Sequence, residues 1–324
     1  MKAISLLLTT AFLFAFECAA VLAQPYPIKA IRMIMPGTAG GPADFLARVA
    51  ADHLAKSFGQ PVVVENVPGA GGNVGLHAAA KSAADGYTIF LASQGMIALG
   101  PFLFKQLPFD HEKDFAPIML LAAPPYVLVV NPSVPANNLK ELLSLLRSKP
   151  GAFNFASTNG NGSSSHVAAE LFKKMANVDI VHVPFKGDAV ASPAVIAGHV
   201  QLMFSLTASV APNIGSGRLK AIAIGSPHRS AALPNVPTFE ESGMPGFRAS
   251  SWFAILTRAG VPAPIVIRLN TELNRMLQLP EVRAKLLAVG AEPAGGSVNE
   301  LAEHLRSERA KWGQVIKDAN ISLD

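Results

Sequence analysis

The feature that most constrains the fold is a unit of strand, loop and helix start that occurs twice. The apolar run Ile31–Met35 predicts a buried strand, which leads into a loop of small residues and then a helix from about Asp44. A second strand, Phe153–Ala156, leads into a loop rich in serine and glycine and a helix from about Ser164. Such loops leave backbone N–H groups unpaired at the positive end of a helix dipole, where anions bind. Two of them predict a ligand held between two lobes.

Further apolar runs and helical patterns alternate along the chain. The runs that predict strands are Pro61–Glu65, Thr88–Ala92, Tyr126–Val130, Ile180–Val183, Leu202–Phe204, Leu219–Ile224 and Trp252–Thr257. Between them, apolar residues recur every three or four positions, as in amphipathic helices. This alternation predicts an α/β fold with mainly parallel sheets.

Proline breaks divide the pattern into lobes. They fall at Pro124, Pro125 and Pro245, which we interpret as points where the chain crosses from one lobe to the other. We therefore expect residues 25–124 plus 249–324 to form lobe 1 and residues 125–248 to form lobe 2. The hinge would be crossed twice.

The first residues have the pattern of a secretory signal peptide. Lys2 precedes the apolar run Ile4–Phe16, and Val21 to Ala23 form a small-residue cleavage site. We expect residues 1–23 to be removed, with cleavage after Ala20 as the alternative. Cys18, the one cysteine of the sequence, would be removed with them, so the mature chain would have neither a disulfide nor a lipid anchor. An exported chain of this length then depends on its hydrophobic core.

Composition excludes several function classes. The net charge is +5, but lysine and arginine are scattered and aromatic residues make up only 7% of the chain, which argues against a nucleic-acid partner. His166 and Glu170 lie four apart on a predicted helix, but a structural or surface role is favoured over a zinc site, so we expect no metal. The segment 68–75 resembles a dinucleotide fingerprint, but Val74 stands where its third glycine belongs. We interpret that segment as a tight turn with close packing and expect no cofactor.

Three groups of polar residues have more than one interpretation. Ser163 or Ser164 with His166 would suit an exported serine hydrolase, but neighbours at a helix start do not face each other, so capping and ligand binding are favoured. Asp44 in a first helical turn suits the helix dipole, which is a structural role. The segment 182–187 (HVPFKG) is either a third wall of a cleft or an ordinary surface turn.

Several segments, in this order, resemble the receptors of tripartite tricarboxylate transporters, the Bug-type receptors of Gram-negative periplasms. They are 36–44 (PGTAGGPAD), 64–72 (VENVPGAGG), 85–88 (DGYT), 182–187 (HVPFKG), 233–238 (LPNVPT) and 241–243 (ESG). The resemblance covers nearly all of residues 25–324. It implies a type II periplasmic-binding-protein fold with two doubly wound lobes, a central ligand cleft and a hinge crossed twice.

The resemblance also implies a function. Such a protein is a periplasmic, monomeric receptor rather than an enzyme, and it delivers its ligand to a membrane permease of the tripartite tricarboxylate type. The ligands of the family are mono-, di- and tricarboxylates, acidic amino acids and aromatic acids. A ligand-sensing subunit of a membrane signalling system has the same sequence features and stays open as an alternative.

The resemblance further implies the site residues, because the family holds the ligand's carboxylate with two loops and ordered water. Here the first loop is Gly37, Thr38, Ala39, Gly40 and Gly41, and the second is Ser157, Thr158, Asn159, Gly160, Gly162, Ser163 and Ser164; Ser93, Phe185, Lys186 and Ser205 complete the candidates. The family usually has Asp where this chain has Ser205, and commonly Tyr where it has Phe185. We therefore expect a less acidic cleft with one hydroxyl fewer and an altered ligand preference.

Overall fold

The computed structural model describes residues 26–158 and 160–323. The predicted signal peptide, residues 1–23, and the candidate site residue Asn159 lie outside the described residues. No helix within the described ranges combines the length and the apolar character that a membrane span requires.

The described residues form two five-stranded sheets. The first has the order β2-β1-β3-β10-β4, with β1 (Ile31–Met35), β2 (Val62–Asn66), β3 (Thr88–Ser93), β4 (Phe115–Ala122) and β10 (Phe253–Arg258). The second has the order β7-β6-β8-β5-β9, with β5 (Tyr126–Val130), β6 (Asn154–Ser157), β7 (Val181–Pro184), β8 (Leu202–Leu206) and β9 (Lys220–Ile224). Every predicted strand is present with small shifts of its ends, and β4 is an addition.

The two sheets repeat one arrangement. The repeated unit of the sequence begins with β1 in one sheet and β6 in the other, and each of these strands has parallel neighbours on both sides. The remaining pairings, through β10 and β5, are antiparallel. The prediction of mainly parallel sheets is confirmed, because four of the five strands in each sheet run in one direction. The exception, β10 in the first sheet and β5 in the second, arrives from the other sheet and runs the opposite way.

Helices connect the strands and cover the sheets. They are α1 (Pro42–Phe58), α2 (Asn73–Ala80), α3 (Gly100–Leu103), α4 (Leu139–Ser148), α5 (Ser164–Ala176), α6 (Asp188–Ile196), α7 (Thr207–Gly215), α8 (Ala263–Gln278), α9 (Pro280–Ala288) and α10 (Val298–Asp318). Proline in the first turn begins α1 and α9, where its missing N–H costs nothing. A capping box between Ser297 and Glu300 begins α10.

The core includes a hydrophobic cluster that joins the two sheets. It contains Phe90 of β3, Phe155 of β6 and Trp312 of α10, all nearly or fully buried. Helix α10 contacts both β4 of the first sheet and α5 of the second. Burial of each large apolar side chain contributes about 1.5–3 kcal/mol, so α10 stabilises the arrangement of both halves.

The glycine-rich segment after β2 packs closely against the first loop, as predicted. A Cβ added at Gly75 would lie 2.9 Å from Cα of Pro36 and 2.9 Å from the carbonyl oxygen of Val67. Both neighbours are backbone and cannot move aside cheaply, so only glycine fits. The segment therefore serves close packing.

Candidate functional site

The two connections between the sheets are hydrogen-bonded to each other. Residues 123–125 lead from β4 to β5, and residues 225–252 lead from β9 to β10. The N–H of Tyr126 donates to Ala249 O at 3.0 Å, that of Gly225 to Tyr126 O at 2.8 Å, and that of Ser251 to Pro124 O at 3.0 Å. These bonds bring Tyr126 and Ser251 to one place between the sheets.

A cavity of about 380 Å³ lies between the two sheets at this place. Its lining residues are Gly71, Ser93, Gly95, Leu103, Phe104, Tyr126, Thr158, Asn161, Gly162, Ser163, Ser164, Asp188, Leu206, Ser251, Phe253 and Leu323. The volume falls within the range of about 300–1,000 Å³ that is typical of small-molecule sites. Hydroxyl groups dominate its polar lining, which includes neither lysine, arginine nor histidine.

One wall of the cavity is the loop between β6 and α5. Gly160 and Gly162 have φ values of 76° and 70°, a left-handed conformation that glycine adopts without strain. The hydroxyls of Ser157 and Ser163 both donate to Gly160 O, at 3.1 and 2.8 Å. Ser163 is also the N-cap of α5. The loop is therefore ordered by its own polar groups before any ligand arrives.

Two stacked imidazoles brace the same loop from behind. His166 and His182 stack with ring centroids 3.7 Å apart. His166 Nδ1 accepts the N–H of Gly162 at 3.0 Å, and His182 Nε2 lies 2.7 Å from Ser157 Oγ. Burial, with a smaller effect of the nearby His166, lowers the pKa of His182 to about 4. His182 is therefore neutral at pH 7.

These contacts bear on the hydrolase interpretation. His166 Nδ1 is occupied by a backbone N–H, and its Nε2 lies 3.7 Å from Glu170 Oε1. The hydroxyl of Ser163 donates to a carbonyl rather than to an imidazole. The serine that does contact a histidine is Ser157, which is fully buried. The arrangement orders the loop, and among the described residues no imidazole accepts a hydrogen bond from Ser163 or Ser164.

The start of α5 instead offers unpaired backbone N–H groups that could donate hydrogen bonds to an anion in the cavity. Among the described residues, no acceptor pairs with the N–H groups of Ser164 and Ser165, which are the first two of the helix. Ser93 lies on the opposite wall at the end of β3, and a Cβ added at Gly95 would lie 3.8 Å from Ser93 Oγ and 4.0 Å from Ser164 Oγ. The walls from the two sheets thus approach closely.

The first small-residue loop, Gly37 to Gly41, does not line this cavity, and Thr38, Ala39 and Gly40 are exposed.

The loop is fixed by the buried carboxylate of Asp44. Asp44 Oδ2 accepts the N–H of Gly40 at 2.9 Å. Arg48 donates to both carboxylate oxygens, at 2.9 and 3.1 Å, and Asn66 Nδ2 donates to Oδ1 at 2.8 Å. The hydrogen bond from Arg48 is the main reason that the pKa of Asp44 falls to about 2. The structural role predicted for Asp44 is confirmed.

The other candidates lie in three different environments. Phe185 packs against the hydrophobic cluster of the second sheet, and Lys186 is exposed. Ser205 is fully buried and donates to Asp188 Oδ1 at 2.7 Å. Asp188 lines the cavity, and burial raises the pKa of its carboxyl group against the opposing effect of Ser205. The cavity therefore has a carboxylate beside Ser205, and the expectation that it is less acidic than in the family stays a prediction.

Tyr126, Asp188 and Ser251 line the cavity but were not singled out from the sequence. Burial raises the pKa of Tyr126, and hydrogen bonds with Ser164 and Ser251 oppose that rise. The signal that could have identified these residues was their position in the sequence. Tyr126 directly follows the proline pair of the predicted crossing, and Asp188 follows the loop tip at Lys186. A cleft between two lobes is lined where the chain crosses, so residues next to the crossings were the ones to consider.

Comparison with known proteins gives a consistent result over both sheets. A family model described as "Tripartite tricarboxylate transporter family receptor" matches residues 46–321. Protein BugT of Bordetella pertussis is 37% identical over 306 residues, which are 94% of this chain and 94% of BugT. The structure of R. palustris Rpa4515 with adipate is 33% identical, has a TM-score of 0.76, and matches 92% of this chain and 100% of that one. The structure of MatC from Rhodopseudomonas palustris with bound malate is 32% identical, has a TM-score of 0.71, and matches 90% of this chain and 100% of that one.

Proposed function

The chain belongs to the tripartite tricarboxylate transporter receptor family, and from this membership we propose that it is a periplasmic receptor that captures a small organic carboxylate and delivers it to a membrane permease. Its fold is the α/β type II periplasmic-binding-protein fold, as predicted from the sequence. Similar proteins have been solved with adipate and malate, so a carboxylate is the ligand class that the comparison favours. The proposed role is binding, without chemistry on the ligand.

The observation that carries the proposal is the composition of the cavity between the sheets. Backbone N–H groups at the start of α5 and the hydroxyls of Ser93, Thr158 and Ser164 surround it, and no cationic side chain is among its lining residues. A carboxylate would be held by hydrogen bonds of about 1.5–3 kcal/mol each. The helix terminus would add about 0.3–1 kcal/mol. Several such contacts support micromolar binding, which corresponds to about 8 kcal/mol.

We assign the lobes as residues 25–124 plus 249–324 and residues 125–248. The support is that all strands of the first sheet fall in the first set and all strands of the second fall in the other. A ligand that touches both lobes binds the closed form better and shifts the population toward it. Closure would bring the first loop, Gly37 to Gly41, onto the ligand. The closed form is the one that would dock on the permease.

The proposal is tested by calorimetric titration of the purified mature chain with adipate and with malate. Ser164→Asp puts a negative charge at the start of α5, where it suits the helix dipole but repels the ligand's carboxylate. We expect binding to be lost while the melting temperature is kept. Ser307→Asp makes the same change on the exposed face of α10 and should bind as the wild type does.

A second pair of variants tests the first loop. An added Cβ at Gly41 meets nothing within 4 Å, so Gly41→Asp and Gly41→Ala should both fold. Gly41→Asp should lose binding because of its charge, and Gly41→Ala should retain it. If both Asp variants bind as the wild type does, the carboxylate site is not where we propose it.

A further inference from the structure

The cavity contains one carboxylate and no side chain that neutralises it. Asp188, the first residue of α6, is the carboxylate, and the other lining residues include no lysine, arginine or histidine. Within residues 26–158 and 160–323, no lysine or arginine forms an ion pair with Asp188. A charge that is partly removed from water without a partner is unfavourable. A ligand that brings a positive charge to this point would remove that cost.

Asp188 is held in a defined position with one oxygen left available. Its Oδ1 accepts the hydroxyl of Ser205 at 2.7 Å, and Ser205 is fully buried in β8. In the described part of the chain, no group donates a hydrogen bond to Oδ2. Val127, the neighbour of Tyr126 in the chain, is the partner of Ser205 across the β5–β8 pairing. The negative charge of Asp188 is one of the causes that raise the pKa of Tyr126.

The cavity is therefore polarised. Unpaired N–H groups at the start of α5 make one part of its wall attractive to an anion, and Asp188 makes another part attractive to a cation. An acid that has its carboxylate at α5 and a chain long enough to reach Asp188 would meet the opposite field there. A second carboxylate there would be repelled, and a protonated amine would be attracted.

We propose that Asp188 is a specificity-determining residue, which selects acids with a protonated amine at the end remote from the gripped carboxylate and disfavours acids with a second carboxylate there. This inference rests on the proposed function, because it needs the ligand's first carboxylate to lie at the start of α5. The proposed ligands are amino acids whose amine is separated from the carboxylate by a carbon chain.

The test uses probes of equal chain length that differ only at the far end: 6-aminohexanoate, 6-hydroxyhexanoate, hexanoate and adipate. Calorimetry gives the affinity of each for the wild type and for Asp188→Asn. We expect the wild type to prefer 6-aminohexanoate to adipate by about tenfold or more, the scale of a close charge pair. In Asp188→Asn that ratio should fall by about tenfold or more.

Two further variants and one probe control the measurement. Asp179→Asn removes an exposed carboxylate away from the cavity and should keep the wild-type ratio. Asp188→Ser should reproduce the loss seen in Asp188→Asn, which separates the effect of charge from that of the new side chain. Hexanoate has no charge at its far end, so its affinity should change little in either Asp188 variant.

The outcomes separate the two proposals. An unchanged ratio in Asp188→Asn, or a wild type that prefers adipate or 6-hydroxyhexanoate, would overturn this inference and leave the carboxylate receptor standing. Failure of the wild type to bind any of the probes would count against the proposed function and against this inference with it.

Discussion

The first small-residue loop depends on a single carboxylate, that of Asp44. Asp44→Asn would remove the charge that Arg48, Asn66 and the N–H of Gly40 share. Hydrogen bonds to charged groups contribute about 1.5–3 kcal/mol each, so we expect a loss of unfolding free energy of that order at pH 7. Urea unfolding measures it.

Lowering the pH should remove the difference in unfolding free energy between Asp44→Asn and the wild type. The pKa of Asp44 is about 2 in the folded chain, below the value of about 3.9 for an unperturbed aspartate. Its contribution to stability is therefore complete above about pH 4 and is lost as the pH falls toward 2. Asp52→Asn, an exposed carboxylate of the same helix, should have little effect at either pH. Equal losses from the two variants at pH 7 would contradict the role given to Asp44.

His182, one of the stacked histidines behind the second loop, is a base, whereas Asp44 is an acid. The lowered pKa of His182 nevertheless makes stability depend on pH in the same direction. Because burial holds the pKa of His182 at about 4, against about 6.5 for an unperturbed histidine, protons bind the unfolded chain more strongly. The contribution of His182 is complete above about pH 6.5 and decreases as the pH falls toward 4.

We therefore expect the melting temperature to fall less between pH 7 and pH 5 in His182→Gln than in the wild type. His199→Gln changes an exposed histidine and should keep the wild-type fall. Parallel pH curves for wild type and His182→Gln would mean that the ring is not kept neutral by the fold.

At the scale of elements, helix α10 joins the end of β3 to the second crossing through one buried carboxylate. Glu308 Oε2 accepts hydrogen bonds from Gln94 at 2.8 Å, Trp252 at 2.9 Å and Trp312 at 2.8 Å, and Glu308 forms an ion pair with Lys311. Gln94 follows the cavity residue Ser93, and Trp252 stands between the cavity residues Ser251 and Phe253. The helix thus sets the backbone on which part of the cavity is built.

Removal of this carboxylate should be costly. Breaking a buried, hydrogen-bonded ion pair costs about 3–5 kcal/mol, so we expect Glu308→Ala to lose unfolding free energy of that order. Glu303→Ala, on the exposed face of the same helix, should change it by about 0.5 kcal/mol or less. Chemical denaturation of both variants makes the comparison, and similar values would contradict a supporting role for Glu308.

The elements themselves were largely readable from the sequence. Apolar runs bounded by turn residues located the strands of both sheets, because a strand buried on both faces has an unbroken apolar pattern. Strand β4 was missed because Pro117 interrupts its apolar run. The reversed direction of β10 and β5 was not predicted, because an apolar run looks the same whichever way the chain enters the sheet.

The candidate site was readable in part for a related reason. The loop before α5 was identified from its local composition, because serine and glycine cluster there at the start of a helix. Tyr126, Ser251 and Asp188 join it only through contacts between distant segments, and such contacts leave no periodic signal in a single sequence. The hydrogen bond from Ser205 in β8 to Asp188 in α6 is the plainest example, because the two residues belong to different elements and no pattern in the sequence links them.

At the scale of the whole molecule, we expect motion between the halves to depend on the strip where the two crossings meet. Gly225 lies against Ala249 so closely that an added Cβ would be 2.4 Å from Ala249 O and 3.0 Å from its N. The same two residues exchange a hydrogen bond, from the N–H of Ala249 to Gly225 O, at 2.9 Å. Any side chain at position 225 must push the crossings apart.

We expect Gly225→Ala to lower stability by about 1–3 kcal/mol, as overpacking against rigid neighbours does, and to weaken adipate binding by impairing closure. Gly215→Ala is the matched control, because its added Cβ meets nothing within 4 Å and alanine favours the helix that Gly215 ends. Small-angle scattering with and without adipate measures closure as a decrease in the radius of gyration. If Gly225→Ala contracts on adipate as fully as the wild type and Gly215→Ala do, the halves move about some other part of the chain than the paired crossings.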